Sequence, residues 1–211
     1  MKNIIYKILV KFILRLHNFS YKLSSRFATK AEGEGLHPKH RLMKYHKFFV
    51  DNINSNDIVL DIGCGNGALT YDVGKKAKKV VGIDLNKENV KKAKEKYNAL
   101  NIEYNIGDVT KILPDQRYDV IILSNVLEHI EDRIGFLHEI KKLAPKILIR
   151  VPMINRDWIT LYKKELGIEW RLDLTHFTEY TLEGFQEELK ETGLNLKKYK
   201  IQFGEIWAII K

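Results

Sequence analysis

Val59-Leu60-Asp61-Ile62-Gly63-Cys64-Gly65-Asn66-Gly67 is the stretch whose reading decides the fold. A short apolar run of buried-strand type stops at glycines, and an amphipathic stretch resumes directly after them at Ala68-Leu69-Thr70. That order is strand, tight turn, helix. Gly63, Gly65 and Gly67 remove side chains where the backbone must bend sharply and where a ligand can lie against it. The turn is therefore a candidate nucleotide cradle.

Downstream, apolar strand candidates alternate with helical patterns, the mark of a doubly wound, mostly parallel α/β sheet with helices on both faces. Strands are expected at 58–62, 79–84, 102–106, 118–123 and 146–151. Val90, Ala93 and Tyr97 mark one helix face, and Ile134, Leu137 and Ile140 another. Thr181 can cap a later helix carrying Leu182, Phe185 and Leu189, which Gly193 ends. From Leu196 to Ile210 two strand-like runs meet at Gly204-Glu205 with no room for a helix between them. An antiparallel hairpin closes the sheet.

Upstream, Pro38 to Asn52 reads as one helix with Leu42, Tyr45, Phe48 and Phe49 on one side. His37, His40, Arg41 and His46 around it read as a solvated or hydrogen-bonded face, with a lid over the cradle as the second reading. Residues 29–36, with Gly33 and Gly35, read as a linker. Before it, Lys7, Lys11, Arg15, Lys22 and Arg26 recur at helical spacing, while Ile5, Ile8, Leu9, Phe12, Ile13, Leu16 and Phe19 supply an apolar face. This is a basic amphipathic helix. Its charges interrupt the apolar run well short of the ~20 residues a spanning helix needs, and no small-residue cleavage site follows. Contact of residues 1–28 with an anionic membrane surface, packing on its own domain and packing in a homodimer are the three expectations for its apolar face.

A chain of 211 residues with 45% hydrophobic side chains suits one domain plus an appendage, divided here as 1–35 and 36–211. Cys64 is the only cysteine, which excludes an intramolecular disulfide or a thiolate metal cluster and points to a reducing, cytoplasmic compartment. Of the net charge of +9, residues 1–30 carry +7 and the remainder only +2. The lysines between Lys75 and Lys96 are thus outer helix faces interleaved with Glu88 and Glu95, and a nucleic-acid footprint is not expected.

Gly63-x-Gly65-x-x-Ala68 also satisfies the dinucleotide fingerprint, so glycines alone do not separate a nicotinamide cofactor from another nucleoside. The acids separate them. Asp61, Asp84 and Asp108 fall at the carboxyl ends of three adjacent strands, around the crevice where such sheets bind ligands. Asp84 can accept both ribose hydroxyls, Asp108 an adenine amino group while Val109 packs the ring, and Asp61 can face a cationic ligand end. A pyrophosphate among three acids is repelled, since like charges at ~4 Å cost about 4 kcal/mol at an effective dielectric near 20. A cationic nucleoside is attracted.

In this combination the residues resemble the class I methyltransferases that use S-adenosylmethionine, of the type 11 domain kind. Asp61-Ile62-Gly63-Cys64-Gly65-Asn66-Gly67 is similar to their first motif, Gly82-Ile83-Asp84 to their second and Gly107-Asp108-Val109 to their third. Tyr118 to Ile122 with Asn125-Val126-Leu127-Glu128-His129-Ile130 resembles their fourth-strand segment. The resemblance covers roughly residues 55–211. It implies sheet order 3-2-1-4-5-7-6 with strand 7 antiparallel, and S-adenosylmethionine as cofactor with S-adenosylhomocysteine as product. It also implies Asp61, Gly63, Cys64, Gly65, Asn66, Gly67, Asp84, Leu85, Asp108, Val109, Ser124 and Asn125 as cofactor-binding positions. Cys64 reads as a small residue filling the turn and Asp119 as structural.

Positioning carries most of the catalysis of methyl transfer, and a hydroxyl acceptor adds the need for a base. His129, after the fourth strand, and His176, in Asp173-Leu174-Thr175-His176, are the two candidates, each weighed against a buried histidine that only holds a loop. Glu128 reads as a structural partner of His129. No metal is expected from Glu128, His129, Glu131 and Asp132, because carboxylates at a helix start answer to the helix dipole. Pro152 to Thr181, with Trp158, Tyr162, Trp170 and Phe177, reads as an acceptor pocket or lid, or as a cover for the sheet edge. The expected reaction is methylation, at oxygen, of a small molecule or a glycan or lipid headgroup. A non-catalytic nucleoside-binding subunit, a nicotinamide-dependent dehydrogenase and an RNA methyltransferase are the alternatives.

Overall fold

A computed structural model describes residues 2–32 and 37–211. Gly33 and Gly35 of the expected linker lie outside the described residues. Seven strands, β1 (Ile58–Ile62), β2 (Lys79–Asp84), β3 (Ile102–Ile106), β4 (Val120–Ser124), β5 (Ile147–Pro152), β6 (Leu196–Gln202) and β7 (Glu205–Ile210), form one sheet in the order β3-β2-β1-β4-β5-β7-β6. β7 runs antiparallel to both β5 and β6. Phe203 and Gly204, both at positive φ, make the two-residue turn that the hairpin requires.

The inner strands β1, β2, β4, β5 and β7 are near-continuous apolar runs because both faces of the sheet are covered there, whereas the edge strands β3 and β6 are more polar and largely exposed. On β4, Ile121 and Leu123 pack with Phe136, Leu137, Phe185 and Leu189 from α6 (Arg133–Ile140) and α8 (Leu182–Glu191). Val120 and Ile122 point the other way, to Tyr45, Phe49, Leu69 and Val73 from α3 (Tyr45–Asp51) and α4 (Ala68–Gly74). α5 (Lys87–Lys96) adds Val90 and Ala93 beside Cys64 and Tyr104. As expected, Thr181 caps α8, accepting the Gly184 N–H at 3.1 Å, and Gly193 follows the helix at φ +69°.

Two expectations are corrected. β4 begins at Val120 rather than 118, because the Asp119 carboxylate takes the Ile58 N–H at 2.7 Å and the Tyr118 N–H turns to Leu143 O. The helix expected over 38–52 is two helices, α2 (Lys39–Met43) and α3, broken at Lys44 with φ +50°. The break lets Tyr45 and Phe49 enter the core and leaves Leu42 outside at 61% exposure.

α1 (Lys2–Ala31) is a single 30-residue helix. It meets the domain through buried Leu14, through the Asn18 amide donating to Glu169 O at 2.7 Å, and through Lys163 Nζ 3.0 Å from His17 Nδ1. Ile5, Ile8, Leu9, Phe12, Ile13, Leu16 and Phe19 are all 48–64% exposed. Among the described residues the domain contacts lie on another stripe of the helix, and this apolar face is left exposed. Among the described residues no helix is long and apolar enough to cross a membrane.

Candidate functional site

The glycine turn crosses the carboxyl ends of β1 and β2, with the Gly63 and Cys64 N–H groups both donating to Ile83 O. All three glycines have positive φ, and their surroundings differ. A Cβ on Gly63 would lie 2.5 Å from Val126 Cγ2, and one on Gly67 2.7 Å from Ala93 Cβ and the Tyr104 hydroxyl. On Gly65 it would meet nothing within 4 Å. Gly63 and Gly67 are packing glycines, whereas Gly65 borders open space, where a ligand can approach backbone. Cys64 is buried, and burial pushes its thiol pKa up, so it fills the turn and is no nucleophile. Asn66 closes the turn by accepting the Ala68 N–H.

Of the three acids, Asp61 lies in β1, Asp84 ends β2 and Asp108 follows β3. Asp84 spends one lone pair of each carboxylate oxygen on the backbone, accepting Gly65 N–H and Asn86 N–H at 2.8 Å each. Acceptor capacity for two hydroxyls is left over. Asp61 is 1% exposed; burial raises its pKa to about 7 against a 2.6 Å hydrogen bond from Thr70. Asp108 accepts from Thr110 and Lys111, which hold its pKa below the usual range. Val109 stands half-buried beside it, and Leu85, 74% exposed, stands after β2.

Ser124 ends β4, and Asn125 follows in the left-handed region at φ +57°, its N–H donating to Arg150 O. The Asn125 amide donates to Glu128 Oε1 at 2.7 Å, so the partner of Glu128 is Asn125 and not His129. Glu128 is fully buried, its Oε2 lacks a hydrogen-bond partner, and burial raises its pKa to about 7. Through Val126, which touches Gly63, this loop adjoins the glycine turn.

His176 reaches the same loop. The segment after α7 (Trp158–Glu165) lies along it, with the Phe177 N–H donating to Glu128 O at 2.8 Å. The His129 and His176 rings meet edge to face with centroids 4.6 Å apart. Burial, and then His176, lower the His129 pKa. Behind them, burial opposes ionisation of Glu179, but hydrogen bonds from His176 and the Leu172 N–H, with the Arg156 guanidinium, hold its pKa below the usual range. Trp158 and Phe177 stay exposed at 71% and 58%, and Trp170 accepts an Arg156 hydrogen bond through its carbonyl.

The two histidines, weighed separately in the sequence, thus form one group. His37, His40 and His46 lie apart from it: His40 accepts from or donates to the Tyr45 hydroxyl and His46 contacts Asp72. Sequence reading missed Glu179 and Arg150. The latter is 3% exposed on β5, paired with Glu205 at 2.8 Å and stacked 3.8 Å over the Tyr45 ring. A charged residue inside the apolar run Ile147 to Val151 was the available signal.

The sequence model of a family described as a methyltransferase domain matches residues 35–199. The chain is similar to the ubiquinone biosynthesis O-methyltransferase of Pelagibacter ubique, 37% identical over 149 residues, which are 66% of this chain and 62% of that protein. The enzyme of the same name from Bradyrhizobium diazoefficiens is 33% identical over 117 residues, 54% of this chain and 46% of that one. The chain thus spans less than two thirds of the length of these relatives. Among solved structures, a DhpI–SAH complex superposes with a TM-score of 0.66 at 16% identity, covering 90% of this chain and 93% of that one. Magnesium protoporphyrin IX methyltransferase from Synechocystis PCC 6803 with bound SAH gives 0.64 at 17% identity and 82% of each chain. These two likenesses concern the fold.

Proposed function

The chain belongs to the S-adenosylmethionine-dependent class I methyltransferases, and from that premise we propose that it methylates a hydroxyl oxygen of a small molecule or of a glycan or lipid headgroup. The observation that carries the reading is adjacency: the open space at Gly65 adjoins, through Gly63 and Val126, a loop on which two imidazoles and a buried carboxylate converge. The family sets aside the dehydrogenase alternative.

The residues present fit the donor. Gly65 lets it lie on the backbone, Asp84 retains acceptor capacity for ribose hydroxyls, and Asp61 faces the cationic end. Asp108 with Val109 and the exposed Leu85 suits the base, and Ser124 with Asn125 borders the reacting end. Bound there, the donor supplies a methyl group on a sulfonium whose leaving thioether needs no proton. The chain's own task is then to orient the acceptor and take its hydroxyl proton at the His129–His176 group. Similarity to enzymes named O-methyltransferases supports oxygen as the target.

The test is transfer of a labelled methyl group to an extract of the source, fractionated into lipid, glycan, RNA, protein and small molecules. His129→Ala and His176→Ala are expected to lower transfer at least a hundredfold while donor affinity stays within about twofold. Donor binding with no labelled fraction would instead favour a non-catalytic subunit, and label in RNA with steeply salt-dependent binding an RNA methyltransferase.

A specific observation supports an acceptor at a lipid surface. α1 exposes its apolar face, and residues 1–30 carry seven basic side chains with no acid. Such a helix suits an anionic bilayer, where each basic residue near the surface contributes about 1 kcal/mol. α1 also contacts Lys163 and Glu169 in the segment that carries His176, so a docked helix would hold the acceptor side of the site toward lipid. The protein is expected to float with vesicles containing anionic lipid, and Lys7→Glu, Lys11→Glu and Arg15→Glu together to abolish this. Equal flotation of the chain without residues 1–28 overturns it, as does a dimer in which the apolar face is buried before any lipid is added.

A further inference from the structure

We propose that Arg150, with Lys39 at its rim, binds an oxyanion of the acceptor, so that the molecule methylated carries a carboxylate or phosphate group; that the anion is the acceptor's rests on the methyl transfer proposed above. Arg150 stands inside the apolar run of β5 and is 3% exposed. Burying a guanidinium is costly unless its N–H groups find acceptors.

They are poorly supplied. Glu205 Oε2 lies 2.8 Å from Nε at an angle that makes no hydrogen bond, and the same oxygen takes the Trp207 indole proton at 2.9 Å. Nη1, equally buried, has no hydrogen-bond partner among the described residues. The Tyr45 ring covers the guanidinium with its centroid 3.8 Å away, which offers π density but no lone pair in the plane where the N–H groups point. A pair that served stability alone would aim its hydrogen bonds at Glu205. This one leaves buried donors unspent, and a planar guanidinium suits the oxygens of a carboxylate or phosphate.

Positive charge is also in excess around it. Lys39 is exposed and makes no side-chain hydrogen bond or ion pair among the described residues. Desolvation of its ammonium, then the charge of Arg150, lower its pKa against the pull of Glu205 and Glu128. Burial, then His46, Lys39 and Arg150, lower the pKa of His40 to about 4, so that ring is uncharged at neutral pH. Against two cations stand Glu205, already engaged with Arg150 and Trp207, and Glu128, whose pKa burial raises to about 7. An added anion balances this set.

The place of the cluster assigns that anion to the acceptor. Asp61, Asp84 and Asp108 belong to β1, β2 and the end of β3, whereas Arg150 is on β5, beyond β4 from Asp61. Ser124 pairs with Arg150 in register, Arg150 O accepts the Asn125 N–H at 2.9 Å, and Glu128 acts on Lys39. The cations thus adjoin the loop that carries Glu128 and His129. Entry is past α2, which has five residues, none buried, touches the Tyr45 hydroxyl through His40 at 2.7 Å and joins α3 at the left-handed Lys44. The lid read in the sequence around His37, His40, Arg41 and His46 then covers the acceptor's anion rather than the glycine cradle.

The test titrates the full chain, saturated with S-adenosylhomocysteine, with inorganic phosphate and follows binding by calorimetry. One phosphate per chain is expected, held at least tenfold more weakly by Lys39→Met and by Arg150→Gln, with S-adenosylhomocysteine affinity within twofold. Because the Lys39 side chain makes no bond, its variant tests binding in a folded chain, checked by circular dichroism. No saturable binding, or binding unchanged in both variants, overturns the site. Binding that S-adenosylhomocysteine abolishes gives the cluster to the donor's own carboxylate and overturns the proposal. Labelled lipid, glycan or small-molecule product is expected to be retained on an anion-exchange resin; uncharged product overturns the acceptor's part and leaves the proposed function standing. Phosphate binding without methyl transfer to any fraction leaves the anion site standing and overturns the reaction.

Discussion

Asp61 is a carboxyl group without water around it, and burial alone would keep it protonated; the Thr70 hydrogen bond pulls the other way and leaves its pKa at about 7. A cationic ligand prefers the ionised form, so donor affinity is expected to rise about tenfold between pH 6 and pH 8, measured by calorimetry, and Asp61→Asn to flatten the profile. Without ligand the sign reverses. The folded pKa lies above the unfolded one, so the group's contribution to stability is greatest in acid and is lost as pH rises from about 4 through about 7. The melting temperature of Asp61→Asn relative to wild type should accordingly increase across that window. The glycines separate stability from binding in the same way. Gly63→Ala, whose Cβ would lie 2.5 Å from Val126, should cost about 1–3 kcal/mol in denaturant unfolding. Gly65→Ala meets no atom and should cost only the ~1 kcal/mol of its left-handed backbone, while donor affinity falls at least tenfold.

At the scale of elements, Lys44 holds the left-handed conformation that parts α2 from α3, so Lys44→Gly is expected to stabilise the fold by about 1 kcal/mol in urea unfolding. This break shows where sequence reading reached its limit. The apolar residues of 38–52 fit one helical face, and no glycine or proline marks Lys44; only the demand of the core for Tyr45 and Phe49 sets the break. The inner strands were legible because they are apolar runs bounded by turn residues, and the glycine turn because its parts are consecutive. The histidine group was not, since it depends on the Phe177 N–H docking on Glu128 O, a contact between segments with no common pattern. Periodicity gave α1 its two faces but not the third stripe, Leu14 and Asn18, that seats it.

For the whole molecule, a long helix held by few contacts beside a sheet covered on both faces predicts two levels of protection. Amides in α1 should exchange hydrogen at least a hundredfold faster than those of β1 and β4, and anionic vesicles should slow α1 alone. The sheet has a second consequence, at its rim. β6 is the last strand, and among the described residues no further strand pairs with its outer edge. Lys197, Lys198 and Lys200 occupy that strand, exposed, among Tyr199 and Ile201. Without those charges the rim would be a β-branched and aromatic template for another copy's strand. Replacing the three lysines by threonine should leave the monomer folded yet seed thioflavin-positive aggregates, so the lysines guard solubility where the sheet runs out.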